Sequence, residues 1–215
     1  MIATLVLLSI FTAFTIAVKT VDIAPIGPQN SEVGFAKINQ WGIDNIGASE
    51  LCYKISELLG IVALLAIPFF AFLGLWQAIK RKSLFKIDRC IWLLANLCAL
   101  VMGAYVLFEI CIINYRPILV EGALEASYPS SHTMLACTLL AGSILALSSL
   151  LRNKTAKLLI AIGLSCIIAA TVICRLLSGV HWITDIVGGL LLSAALVMFY
   201  SWSLQITQKE QNNSQ

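Results

Sequence analysis

The stretch CRLLSGVHWITD, residues 174–185, places an arginine, a histidine and an aspartate at spacings that can do chemistry. On a helix, His181 and Asp185 stand at i and i+4 and share one face. Asp185 can then accept a hydrogen bond from one ring nitrogen of His181. That fixes the tautomer and frees the other nitrogen, as in the base–orienter half of a catalytic triad, here with histidine as nucleophile. An ionisable group in an apolar run is costly without such a task. Other readings of the stretch are a structural His–Asp pair that pins helix ends and a zinc site, although no ligand spacing supports the metal.

Two further stretches carry the same chemistry. In EICIINYRP, residues 109–117, Arg116 precedes a proline. Proline disfavours helix at the residue before it, so Arg116 is expected where an apolar span ends. A planar, permanently charged fork there suits a phosphate, and a snorkelling anchor is the alternative. In YPSSHT, residues 128–133, Ser130 or Ser131 can cap the helix that follows. A helix N-terminus offers free N–H groups and a favourable dipole to an anion. His132 falls in its first turn; an ordinary cap with a surface histidine is the plainer reading. Arg116, Arg175 and the helix N-terminus together make an anion pocket. One histidine could attack phosphorus and the other protonate the leaving group. That is phosphoryl transfer with no metal and no cofactor.

The elements that must hold these residues are membrane spans. The 215-residue chain is 60% hydrophobic and 12% charged, about half the charged fraction of a soluble domain. Apolar runs at 1–18, 57–79, 90–113, 133–151, 156–174 and 182–203 approach or reach the roughly 20 residues that cross a bilayer. They are continuous and do not alternate, which excludes a β-barrel. The expected fold is all-α, a single polytopic domain over 1–215 with six transmembrane helices, an outer loop at 19–56 and a polar, frayed tail within 204–215. The first run lacks a basic region before Lys19 and reads as a retained span. Within the loop, FAKINQWGIDNIG is expected as a short amphipathic helix on the membrane surface.

Basic loops set the orientation. Lys80, Arg81, Lys82, Lys86 and Arg89 fill one loop, and Arg152, Lys154 and Lys157 another. Both are expected in the cytoplasm, and both termini with them. Glu109, Arg116, His132, Arg175, His181 and Asp185 then gather at the outer face. Seven cysteines lie mostly inside apolar runs, without a CxxC, and read as small hydrophobes. The bilayer is the expected partner, nucleic acid is not, and the sequence leaves the oligomeric state open.

In order and spacing these stretches resemble the type-2 phosphatidic acid phosphatase superfamily, which shares its active site with the vanadium haloperoxidases. The family pattern is K-x6-R-P, then P-S-G-H, then S-R-x5-H-x3-D, and the resemblance extends over roughly residues 57–203. It implies a haloperoxidase-like helical bundle with its core motifs between 109 and 185. His181 would form a phosphohistidine, Asp185 would orient it and His132 would be the general acid. Arg116 and Arg175 would clamp the phosphate, aided by Ser130 and Ser131. The implied activity is a plasma-membrane lipid phosphatase acting on a lipid phosphate or diphosphate, such as undecaprenyl diphosphate, phosphatidylglycerol phosphate or a phosphatidic acid-like lipid. A lipid-to-lipid phosphotransferase and a non-catalytic lipid-phosphate binder are the alternatives.

Three positions depart from the pattern. Cys174 replaces a serine and loses a hydroxyl donor. Ser131 replaces a glycine but keeps its N–H. Glu109 stands where the family has lysine, which reverses a charge beside the phosphate. It can pair with Arg116 two helical turns on, contact a hydroxyl or ammonium of the substrate, or weaken the pocket. Lys54 is the candidate for supplying the missing positive charge.

Overall fold

The computed structural model describes residues 1–213. It is all-α: among the described residues the only β pairing is three isolated bridges, Ala24 with Val33, Tyr115 with Ala126 and Val120 with Ala123. Helix α1 (Ile2–Thr20) leads through a loop to the short α2 (Ala36–Ile46). Then come α3 (Glu50–Leu64), α4 (Ala66–Arg81), α5 (Arg89–Ile110), α6 (Ser131–Leu150), α7 (Lys154–Leu177) and α8 (Ile183–Asn213).

Six of these stretches are long and apolar enough to cross a membrane, with α3 and α4 counting as one span of 32 residues. That span breaks at Leu65 because Pro68 follows three residues later. A proline ring clashes with the carbonyl four residues back and cannot donate to it, and here that carbonyl is Leu64, the last residue of α3. In the first turn of α4 the missing N–H costs nothing. The protein is a six-span membrane bundle, as its hydropathy implied.

Three boundaries differ from expectation. The second span begins at Glu50 and not at 57, so the outer loop ends at residue 49 and Lys54 and Glu57 lie within α3. The third span stops at Ile110, so Arg116 lies six residues beyond its end, in a loop. The sixth continues as helix to Asn213, so the tail expected to fray extends α8 instead. Residues 214–215 lie outside the described residues.

Helices α6 and α8 form the core. In their most apolar windows 56% and 50% of residues are buried, against 6% for α7. Helix α6 packs on α3, α5, α7 and α8, and α8 also packs on α1 and α5. The outer helices turn large apolar side chains such as Ile61, Phe72 and Leu159 outward, as a lipid-facing surface requires. The seven cysteines are free: Cys90 and Cys137 are buried, Cys52, Cys98 and Cys174 half-buried, and Cys111 and Cys166 exposed. The last two depart from the expectation of buried hydrophobes.

The loop 21–49 is not a loose excursion. Its amphipathic helix is present as α2, but it docks on the start of α8. The buried Asn39 donates to Gly34 O (2.8 Å) and Thr184 Oγ1 (3.0 Å) and accepts from the Thr184 N–H (3.2 Å). An aromatic cluster locks the same end of the bundle. Tyr128 is 1% exposed among Phe11, Phe14 and Phe108, and its hydroxyl meets Thr15 Oγ1 at 2.7 Å. Burial pushes this phenol up to about 12. Gly188 of α8 lies against its ring, where an added Cβ would come within 2.5 Å.

Gly188→Ala tests this packing. The alanine gains about 1 kcal/mol of helix propensity, but the ring has nowhere to move, and overpacking costs about 1–3 kcal/mol. The variant is expected to melt several degrees lower than wild type in detergent; an unchanged or higher melting temperature would contradict the packing.

Candidate active site

Alternating spans bring the ends of α1, α5 and α7 and the starts of α3, α6 and α8 to one end of the bundle, opposite the basic loops at 80–89 and 152–157. Every residue singled out by motif stands at this end. The structure brings His132, Arg175, His181, Asp185, Ser130 and Arg116 together. Lys54 and Glu109 are placed differently from expectation.

Arg175 is the centre. It sits in the last turn of α7 and is 0% exposed. Its Nη2 donates to Glu57 Oε1 of α3 at 2.6 Å and meets His132 Nδ1 of α6 in a very short contact. The guanidinium also lies 5.5 Å from the centre of the Tyr53 ring, within cation–π range. A guanidinium can only donate, so His132 Nδ1 accepts and the ring proton resides on Nε2, which faces Glu57 Oε1 at 3.3 Å. Arg175, Glu57 and His132 thus close a triangle across three helices. Gly60, one turn after Glu57, makes room for it: a Cβ there would come within 2.6 Å of His132 Cδ2.

His181 differs in detail from the i, i+4 helical pair. Helix α8 begins at Ile183, so His181 lies in the preceding turn and only Asp185 is in the helix. The turn itself is where the SG dipeptide implied it. Gly179 has φ +70°, and its Cα packs so closely on Ala48 that a Cβ would come within 2.7 Å. Asp185 caps α8 by accepting the Trp182 N–H on Oδ2 at 2.9 Å, and the same oxygen is 3.5 Å from His181 Nδ1. That separation is a close approach and not a hydrogen bond. The imidazole is almost fully buried, 3% exposed, and neither ring nitrogen has a hydrogen-bond partner. Burial, with Arg116 and Arg175 adding to it, holds His181 well below the ordinary histidine range, so its ring is neutral at neutral pH.

The loop 111–130 ties the rest down. Tyr115 O accepts from Trp182 Nε1 at 2.7 Å, the Ser127 N–H donates to Asn114 O at 3.0 Å, and the Ser130 N–H donates to Asp185 O at 3.0 Å. Ser130 occupies the cap position of α6 but makes no capping bond with its side chain. Its hydroxyl is buried without a partner among the described residues, as are Arg175 Nε and Nη1, while the Ser127 and Asn114 side chains face the Asp185 carboxylate. Buried polar atoms are normally satisfied, so this concentration of unpartnered donors marks a place built for an acceptor-rich ligand.

Two pairings that the sequence left open are not formed, and one residue was missed. Arg116 pairs with Glu125, Nε to Oε2 at 3.2 Å, and its N–H donates to Glu125 O at 3.0 Å. Glu109 cannot reach it along a shared face because α5 ends at Ile110. Lys54 does not replace the missing lysine: its side chain is 70% exposed and paired with Glu50 at 2.6 Å. Glu57 went unnoticed, although an acid at the edge of an apolar span is the signal that drew attention to Asp185. The Cys174 thiol meets Cys52 of α3. Among the described residues no group of three or more His, Cys, Asp or Glu is placed to hold a metal ion.

The PAP2 superfamily model matches residues 108–209, the segment that contains all three motifs. No curated protein matches the chain. Among solved structures, one described as the first transmembrane PAP2-type phosphatidylglycerolphosphate phosphatase, from Bacillus subtilis, aligns with a TM-score of 0.66 at 18% identity, covering 95% of this chain and 97% of that one. At that identity the likeness shows a shared fold.

Removing the carboxylate partner of a fully buried arginine is costly, and Glu57 is only half-buried, so Glu57→Ala is expected to lower stability by about 1–3 kcal/mol. Removing the exposed Lys54–Glu50 pair by Lys54→Ala should change it by less than about 1 kcal/mol. Thermal melts of the two variants in detergent check the contrast, and equal shifts would refute it.

Proposed function

Residues 108–209 belong to the PAP2 superfamily, and from that premise we propose that the protein is an integral membrane lipid phosphatase working through a phosphohistidine. The observation that carries this reading is the buried, neutral, unpartnered His181 beside Asp185, with Arg116 and Arg175 close enough to oppose its protonation. A neutral imidazole keeps a lone pair for attack on phosphorus. The arginines stabilise charge on the phosphoryl oxygens, with the Ser130 hydroxyl and the N–H groups at the start of α6 as further donors. Asp185, 3.5 Å away, stabilises the imidazolium that forms. His132 protonates the leaving oxygen. In the triangle with Arg175 and Glu57 both its nitrogens face protein groups; once the arriving phosphate draws Arg175 away, Nδ1 takes up a proton from solvent, and the imidazolium so formed gives its Nε2 proton to the leaving oxygen. Water then releases the phosphate from His181.

The reaction is proposed to proceed without a metal or other cofactor, at the outer face of the plasma membrane, with both termini in the cytoplasm. The basic loops at the opposite end support that orientation. The substrate is a lipid phosphate or diphosphate, with undecaprenyl diphosphate, phosphatidylglycerol phosphate and phosphatidic acid as the panel to test. Another lipid in place of water as acceptor would make the protein a phosphotransferase. A non-catalytic binder draws support from Glu109 alone.

Detergent-purified protein in EDTA is expected to release phosphate from at least one lipid of this panel, and His181→Ala to lower the rate by at least about a thousandfold, in line with loss of a nucleophile. Lys54→Ala should retain the wild-type rate. Release that survives His181→Ala, or that EDTA abolishes, would refute the mechanism.

A further inference from the structure

Two cysteines at the active-site end of the bundle take no part in the mechanism above, yet the fold brings them together. Cys52 lies in the first turn of α3 and Cys174 in the last turn of α7. Two consecutive residues of one helix meet two consecutive residues of the other. The Cys52 thiol meets the Cys174 thiol, and the Tyr53 ring centre lies 5.5 Å from the Arg175 guanidinium. Fixed contacts bracket the pair. On one side the Ser49 N–H donates to Leu177 O at 2.9 Å, and on the other Arg175 Nη2 donates to Glu57 Oε1 at 2.6 Å. The two helices run antiparallel and rise equally per residue. A register that sets Ser49 against Leu177 therefore sets Cys52 against Cys174, three residues further into each helix. Both thiols are free and half-buried. The serine that the family pattern has at position 174 could not be cross-linked.

We propose that Cys52 and Cys174 form a reversible disulfide that staples α3 to α7 beside the phosphate clamp and slows turnover. The oxidant is a small disulfide such as oxidised glutathione. The thiolate of one cysteine attacks it, the glutathione S–S bond breaks and one glutathione leaves. The second cysteine then attacks the mixed disulfide and displaces the other glutathione. Two protein thiols thus give up two protons and two electrons, and the oxidant departs as two thiols that carry them. The orientation proposed above puts the pair on the outer side, where such bonds persist. In the reduced protein Arg175 can leave Glu57 for an arriving phosphate. A disulfide holds two backbones at close range, and this one sits one residue before Tyr53 and one before Arg175. It keeps the ring and the Glu57 carboxylate on the guanidinium. The slowing of turnover rests on the phosphatase assignment; formation of the bond does not.

The test treats the full chain, reduced and desalted in detergent, with oxidised glutathione. The product is alkylated, digested and mapped by mass spectrometry without reduction. A cross-linked peptide joining Cys52 to Cys174 within one chain is expected, with a melting temperature raised by several degrees. Phosphate release from a lipid of the panel is expected to fall by about fivefold or more and to return with dithiothreitol. Cys52→Ser should keep the reduced wild-type rate and lose the response to the oxidant, and Cys52→Ala repeats the measurement should the serine fold poorly. The exposed Cys111 and Cys166 are the internal control. Oxidation confined to these two, or a loss of rate that persists in Cys52→Ser, overturns the inference, and so does a Cys52–Cys174 bond that leaves the rate unchanged. If even the reduced protein hydrolyses no lipid of the panel, the phosphatase assignment falls and the slowing with it, while the peptide map still decides the bond.

Discussion

A guanidinium with no solvent exposure inside an apolar bundle is the constraint around which this end of the protein is arranged. A buried charge is tolerated only when counter-charge and hydrogen-bond acceptors surround it. For Arg175 these come from two other helices: Glu57 and the Tyr53 ring of α3, and His132 of α6. Meeting that demand draws α3, α6 and α7 together and places His132 where α6 begins. It also explains why Gly60 has no side chain. The contacts leave Nε and Nη1 without partners among the described residues, so the group that holds the helices together still has donors to spare.

The second half of the site depends on how α8 begins. A helix N-terminus leaves N–H groups unsatisfied, and Asp185 answers by accepting the Trp182 N–H. Around it, Asn39 of α2 binds Thr184, Trp182 donates to Tyr115 O, and the Ser130 N–H donates to Asp185 O. Two stretches of chain, α2 and the loop 111–130, therefore converge on Trp182, Thr184 and Asp185. This anchoring, with the left-handed turn at Gly179, holds His181 at a fixed distance from Asp185 even though no hydrogen bond closes between them.

The electrostatic character of the pocket is a matter of balance. Three carboxylates, Glu57, Glu109 and Glu125, accompany two arginines where the family pattern has a lysine and two arginines. Glu57 and Glu125 are half-exposed, so water screens them and each pair is weaker than the same pair in the core. Water can therefore exchange with these carboxylates at the arginine forks. The buried Asp185 is shielded from such exchange.

Hydropathy and motif spacing carried the architecture: a stretch of apolar residues long enough to cross a bilayer has to be helical, since only a helix satisfies its own backbone in lipid. His132, Arg175, His181 and Asp185 were legible for a related reason, because ionisable groups at the ends of spans are rare and local spacing links them. The tail carried no such signal, and its polar composition gave no hint that α8 continues to Asn213. The pairing of charges was also out of reach. Glu57 and Arg175 are 118 residues apart, and which acid meets which cation depends on helix rotation and packing, to which charge type is blind. The sequence by itself therefore determined the spans, their alternation and the residues able to do chemistry. Only the tertiary structure decided that Glu57 closes on Arg175, that Arg116 takes Glu125, that Lys54 turns outward, and that Glu109 is left unpaired in the cleft of His181.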